Sequence, residues 1–166
     1  MKEEISADDI YCTWIESPMG WMAIKANALG LTSLWFCEAE KRGENRPNAI
    51  TEQCEQELLE YFSGERKVFS VPLNPEGTPF QKRVWKVLQD LDFGKTASYL
   101  DISKILGDEK LTRAVGSANG KNPIGIIVPC HRVIGSDGSL TGYAGGMHRK
   151  KWLLQHEGVI TQQELF

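Results

Sequence analysis

A thiol, an imidazole and a guanidinium occupy three successive positions, Cys130-His131-Arg132, behind a run of apolar β-formers, Ile126-Ile127-Val128, and a proline, Pro129. The run resumes as Val133-Ile134 and reads as a buried strand carrying chemistry at its end. Proline cannot donate to a central ladder, so Pro129 predicts where pairing stops and Cys130 meets a cavity. The thiolate is the nucleophilic form of cysteine, and a neighbouring cation favours it over the thiol. A core thiol is the plain alternative, because free cysteine is among the most buried residue types. His131 and Arg132 are poor core residues, and that tips the reading towards a nucleophile.

The surrounding pattern supplies elements to hold such a site. Thr78-Pro79-Phe80-Gln81 is a capping box with proline at the first helical position. Phe80, Val84, Val87, Leu88 and Leu91 form the apolar stripe behind it, with Trp85 at its edge, until Gly94 breaks the pattern. Ser98 and Asp101 form a second capping box, and Tyr99, Ile102, Ile105 and Leu106 keep helical spacing up to Gly107. Asp108 caps a third helix from about Glu109 to Asn119, so the two read as a helix-turn-helix. The third helix has a core face of Leu111, Val115 and Ala118 and an opposite face of Thr112, Arg113, Gly116 and Ser117. A helical hairpin packed for its own sake is the alternative. Glycine in mid-helix costs roughly 1 kcal/mol against alanine, so Gly116 needs a reason, and close approach of the backbone to DNA is one.

Gly120-Lys121-Asn122-Pro123 is a turn leading into the central run, with Asn122 suited to turn chemistry. Residues 135–138 and 141–146 form a glycine-rich loop, read as one wall of a substrate pocket in which Tyr143 can stack. The last helix, Arg149 to His156, presents Trp152 and Leu153 to the core and ends with Glu157 before Gly158.

The amino-terminal part reads as a separate α+β unit. Strands over Tyr11–Ile15, Trp21–Ala26 and Leu31–Phe36 make a meander, Ile50 to Phe62 make a helix, and Lys67–Leu73 make one more strand. Cys12, Cys37 and Cys54 sit within apolar patterns and read as core. Asn74-Pro75-Glu76-Gly77 marks the boundary, dividing the chain into residues 1–75 and 76–166.

The 166 residues, 41% of them apolar, suffice for a real core, which excludes a disordered chain. No stretch reaches eighteen apolar residues, and Met1-Lys2-Glu3-Glu4 is too polar for a signal peptide, so a cytoplasmic protein with no membrane partner is expected. The four cysteines form no Cys-x-x-Cys pair, and all three histidines lie after position 130, which predicts no metal and no cofactor. The net charge of −3 argues against a nucleic-acid partner, but it is unevenly spread. Residues 1–75 carry seven Lys and Arg against thirteen Asp and Glu, and residues 76–166 twelve against nine, so the halves stand at −6 and +3. A modest basic excess predicts few phosphate contacts and salt-sensitive binding.

Pro129-Cys130-His131-Arg132-Val133 resembles the active-site motif of the O6-alkylguanine-DNA alkyltransferases, the methylated-DNA–protein-cysteine methyltransferases. The resemblance extends over about the last ninety residues, through Thr78-Pro79-Phe80, Ser98-Tyr99, Arg113-Ala114-Val115-Gly116, Asn122-Pro123, Gly142-Tyr143-Ala144-Gly145-Gly146, Trp152-Leu153-Leu154 and His156-Glu157-Gly158. It implies a small ribonuclease-H-like amino-terminal domain serving as scaffold, followed by a mainly helical domain with a helix-turn-helix. It also implies one irreversible transfer of an alkyl group from guanine O6 in DNA to Cys130. Carried across by residue, Glu157 orients His131, which takes the thiol proton through a water, and Tyr99 donates towards guanine N3. Asn122 braces the turn after the cysteine. Val133, Tyr143, Ala144, Gly145 and Pro129 line the base pocket. The helix bearing Thr112, Arg113, Gly116 and Ser117 enters the minor groove of double-stranded DNA as a monomer, with Arg113 replacing the extruded nucleotide. Leu111 and Thr112 depart from the small alanines usual in the family.

Two other classes remain open on the residues alone. A thiol hydrolase would pair Cys130 with His148 or His156 and turn over on activated esters. A non-enzymatic sensor of alkylated DNA would bind without reacting, although relatives of that kind lack the cysteine.

Overall fold

In a computed structural model, which describes residues 9–159, the chain separates into two units, Met1–Glu76 and Gly77–Phe166. The polar start at Met1–Glu4 lies outside the described residues.

The first unit is an antiparallel meander of β1 (Tyr11–Ser17), β2 (Gly20–Ala26) and β3 (Leu31–Phe36), in that spatial order. The β1–β2 turn closes because the Ser17 hydroxyl donates to Gly20 O at 2.6 Å and Gly20 takes a φ of 110° that suits glycine. Alternation puts Ile15, Met22, Ile24 and Leu34 on one buried face. Helix α1 (Ala49–Phe62) starts from an Asn48–Thr51 capping box and buries Cys54, Leu58 and Tyr61. Side chains of this size stabilise by about 1.5–3 kcal/mol each when fully buried.

Two expectations fail here. Lys67–Leu73 is not a strand: it makes a single parallel bridge, Leu31 to Leu73. Buried Glu57 instead accepts from Ser70 N at 2.8 Å, Ser70 Oγ at 2.8 Å and Val71 N at 3.1 Å, satisfying donors that a ladder would otherwise take. Cys54 is core, but Cys12 and Cys37 are only half-buried.

The second unit is mainly helical. Helix α2 (Pro79–Gln89) has the Thr78–Gln81 capping box and Pro79 in its first turn, and it ends before Leu91. Trp85 is buried, not marginal, and its indole N–H donates to Ala118 O at 2.9 Å. A two-residue strand, β4 (Ala97–Ser98), leads directly into α3 (Tyr99–Ile105), whose cap is Ser98 with Asp101. Gly107, with φ of 99°, closes α3: its N–H bonds to Lys104 O, and that of Asp108 to Ser103 O.

The next helix is shorter than its pattern predicts. Glu109–Leu111 is a 3-10 turn capped by Asp108, and α4 runs only from Thr112 to Gly120. It buries Val115 and Ala118, while Leu111 is only half-buried. Helix α5 (Met147–His156) buries Lys150, Leu153 and Leu154. Trp152 does not join the core: it is half-exposed and stacks on His156 with centroids 4.8 Å apart.

The largest departure is the central run. Residues 126–128 are not a strand; they form a tight turn in which Ile126 has a φ of 67°, a left-handed conformation unfavourable for a β-branched residue. Cys130–Arg132 is a 3-10 turn, and only β5 (Val133–Ile134) pairs, in parallel, with β4. Pro129 therefore stands before the pairing, not at its end. Among the described residues no helix is long and apolar enough to cross a membrane, and no group of three His, Cys, Asp or Glu is placed to hold a metal ion.

Candidate active site and nucleic-acid interface

Asn122 builds the turn that presents Cys130. Its Nδ2 donates to Ile124 O at 3.1 Å and Val128 O at 2.8 Å, and its Oδ1 accepts from Ile124 N at 3.0 Å. The side chain replaces ladder partners for a buried apolar segment, which explains how Ile126 is held left-handed. The braced turn precedes the cysteine; the expectation that Asn122 braces a following turn is corrected.

Cys130 is 3% exposed, and burial pushes its thiol up to about 11, partly offset by the Asn122 amide and by Lys150. The flanking cations therefore do not make the resting group a thiolate, as its neighbours in sequence suggest. His131 and Arg132 are both buried and committed elsewhere. His131 Nε2 lies 2.8 Å from Glu157 Oε2; Arg132 donates from Nε to Oε1 at 2.8 Å, from Nη2 to Oε2 at 3.0 Å and from Nη1 to Leu91 O at 2.6 Å.

These bonds fix protonation states. Glu157 is buried, yet its bonds to His131 and Arg132 hold the carboxyl far below the ordinary range, so it is ionised. Burial pushes His131 down, so the imidazole is neutral at neutral pH. Its Nε2 must then carry the hydrogen that Glu157 accepts, leaving a lone pair on Nδ1. That nitrogen is buried and has no hydrogen-bond partner among the described residues. It is an acceptor to which no described residue donates.

The β4–β5 pair brings a second element in. Ser98 lies opposite Ile134, so Tyr99, the first residue of α3, starts beside the strand that follows the Cys130 turn. Its hydroxyl is 2.9 Å from Thr141 Oγ1, tying α3 to the glycine-rich loop. In that loop Gly145 is buried, Ala144 is exposed, and Tyr143 has a buried hydroxyl whose pKa burial and the nearby Cys130 raise further. Pro129 and Val133 are buried on either side of the 3-10 turn. On α4, Arg113 and Ser117 are exposed, and Thr112 and Gly116 half-buried. A Cβ on Gly116 would sit 3.8 Å from the Tyr99 ring, an ordinary contact, so nothing among the described residues demands glycine there.

The sequence reading missed Lys150. It is fully buried, and its Nζ donates to Val133 O at 2.6 Å. The signal was present: Lys150, Leu153, Leu154 and Glu157 occupy positions i, i+3, i+4 and i+7, the buried stripe of α5. Of the alternative histidines, His148 is exposed and His156 stacks on Trp152.

Residues 79–159 match the model of the 6-O-methylguanine DNA methyltransferase DNA binding domain, and residues 10–75 that of the ribonuclease-like domain of the same family. A methylated-DNA–protein-cysteine methyltransferase of Methanosarcina acetivorans is 44% identical over 90% of this chain and 99% of its own. The constitutive enzyme of that name from Bacillus subtilis is 40% identical over 93% and 98%. The crystal structure of the Mycobacterium tuberculosis O6-methylguanine methyltransferase superposes with a TM-score of 0.80 at 40% identity, covering 95% of this chain and 98% of that one. Its complex with DNA superposes at 0.78 with 45% identity, over 87% and 90%. With both units matched and relatives aligned along nearly their whole length, the chain belongs to the 6-O-methylguanine DNA methyltransferase family.

Proposed function

We propose that this protein repairs DNA by direct reversal, accepting the alkyl group of O6-alkylguanine on Cys130 in a single irreversible turnover. The observation that carries this reading is the succession, in one 3-10 turn, of a buried thiol and a neutral imidazole whose Nε2 is fixed by Glu157 and whose Nδ1 has no hydrogen-bond partner among the described residues. His131 takes the thiol proton through a bridging water. The sulfur lone pair then forms the bond to the alkyl carbon, the carbon–O6 bond breaks with its electron pair left on guanine, and a proton from Tyr99 neutralises the base. The thiol proton replaces it in the end, so the thiol and alkylated base become a thioether and guanine. A thioether offers water no leaving group, and the protein is spent.

Val133, Tyr143, Ala144, Gly145 and Pro129 receive the flipped base, while Asn122 keeps Cys130 in place. Residues 76–166 bind DNA and carry the reaction, with residues 1–75 as scaffold. Helix α4 enters the minor groove as part of a monomer, with Thr112, Gly116 and Ser117 against the backbone and Arg113 filling the space of the extruded nucleotide. Flipping costs a few kcal/mol, less for a damaged base. The protein acts in the cytoplasm, and O4-alkylthymine is a second candidate substrate.

Intact-mass measurement after incubation with duplex DNA containing O6-methylguanine tests the reading. One added methyl on the Cys130 peptide, in a one-to-one yield, is the expected result. Turnover without a mass change would point to a hydrolase, and binding without reaction to a sensor.

A further inference from the structure

Tyr99 and Thr141 lie 42 residues apart in the chain, yet the fold gives them a common root. Ser98, just before Tyr99, pairs with Ile134, just before the glycine-rich loop. The loop first closes on itself: Gly135 N donates to Ser139 O at 2.8 Å, Gly138 N to Gly135 O at 2.9 Å, and Ser139 N to Asp137 Oδ1 at 3.0 Å. That turn brings Ser139 back beside Gly135, and two residues later Thr141 Oγ1 stands 2.9 Å from the Tyr99 hydroxyl. On another side the Tyr99 ring lies against α4, where a Cβ on Gly116 would be 3.8 Å from two of its carbons. The phenol is bounded at its ring by one element and at its oxygen by a second.

The direction of the hydroxyl–hydroxyl bond decides what the phenol can do, since either oxygen could be its donor. A phenol has one O–H to give, and its oxygen can accept as well. If Tyr99 gave its hydrogen to Thr141, donation to guanine N3 would break the contact. If Thr141 gives, the Tyr99 hydrogen stays available and the contact persists through the whole reaction. A hydrogen bond to an ionised acceptor is roughly twice as strong as one between neutral groups. Donation from Thr141 therefore tightens as the phenol parts with its proton, and an interaction that strengthens on the way to the transition state accelerates the step.

We propose that Thr141 is a positioning residue for the alkyl transfer, its hydroxyl donating to the Tyr99 oxygen so that the phenol hydrogen is aimed at the base and the charge left on the phenol is stabilised. The inference rests on the alkyl-transfer reading. The sulfur–carbon bond forms as the carbon–O6 bond breaks, the electron pair stays on guanine, and the Tyr99 proton moves to N3. Thr141 keeps its own proton throughout, and the proton that His131 took from the thiol restores the phenol.

Thr141→Val removes the hydroxyl and keeps the shape, whereas Thr141→Ser keeps the hydroxyl and removes a methyl. Methylation of Cys130 by duplex DNA containing O6-methylguanine is followed by intact mass, as a single turnover over a range of protein concentrations. The saturated rate of the Val variant should fall about tenfold, with the half-saturating concentration unchanged, and the Ser variant should stay within about twofold of the parent. The loss must vanish where phenol donation is absent. In a Tyr99→Phe background, or on the same duplex carrying 3-deaza-O6-methylguanine, which has carbon in place of N3, Thr141→Val should slow the reaction no further. A Val variant as fast as the parent overturns the proposal, as does a Ser variant slowed as much as the Val one. An equal further loss in the Phe background and on the deaza base also overturns it, because Thr141 would then serve loop packing alone. Thr141→Ala supplies a second hydroxyl-free chain if the Val variant melts far below the parent. A parent that leaves Cys130 unmethylated removes the alkyl-transfer reading and this inference with it; a parent that methylates normally beside unaffected Val and Ala variants removes this inference alone.

Discussion

Arg132 and Glu157 meet through two parallel bonds, Nε to Oε1 at 2.8 Å and Nη2 to Oε2 at 3.0 Å, so the carboxylate that orients His131 is already neutralised by a guanidinium. Glu157 can therefore fix the tautomer of His131 without turning it into a permanent imidazolium.

Glu157→Gln should be destabilising first and catalytic second. Removing one partner of a buried pair leaves the other charge uncompensated, a loss of about 3–5 kcal/mol. Adding Arg132→Met should recover part of it. Denaturant unfolding of both single variants and the double checks this; simple additivity would mean the pair is not coupled.

Acid should weaken the fold before carboxylates titrate. The folded pKa of His131 lies below its unfolded value of about 6.5, so its contribution is complete above that value and is lost as pH falls through the folded one. Glu157, also depressed, contributes above an unfolded value of about 4.3 and is lost only at lower pH. Melting temperature should begin to fall below about pH 6.5, and His131→Gln should flatten that first decline.

Gly116→Ala should separate folding from DNA binding. Among the described residues the new methyl meets the Tyr99 ring at 3.8 Å, and alanine favours helix by about 1 kcal/mol. Thermal stability should hold or rise, while affinity for duplex drops in a gel-shift or anisotropy titration. Unchanged affinity would remove the reason offered for a glycine at this position.

Arg113→Ala should slow duplex repair far more than reaction with free O6-alkylguanine, which needs no flipping. Each 1.36 kcal/mol added to the barrier is about tenfold in rate. The saturated single-turnover rate on duplex, set beside the free-base rate, decides the matter. Equal losses on both would assign Arg113 to the pocket or the fold.

Much of this was legible where local chemistry governs. Thr78 with Gln81 and Ser98 with Asp101 specify helix starts by themselves, because a side chain and a backbone N–H three residues apart satisfy each other. Cys130, His131 and Glu157 were legible from residue type and resemblance. The turn at 124–128 was not: Ile126-Ile127-Val128 has every propensity for a strand, and only the distant amide of Asn122 makes another path acceptable. The segment before Leu73 was misread for the same reason, since Glu57 supplies acceptors that no periodicity reveals. Lys150 was overlooked because a lysine invites a solvent-facing reading, although its place on the α5 stripe was visible.

A protein that reacts once must also survive until it is needed. The Cys130 thiol, 3% exposed and with burial holding its pKa up at about 11, is poorly placed to meet peroxides or stray electrophiles. Cys12 and Cys37, half-buried and in the other unit, would encounter such reagents first and can be modified without loss of the acceptor. Concealment of the resting thiol therefore bears directly on the useful lifetime of each molecule.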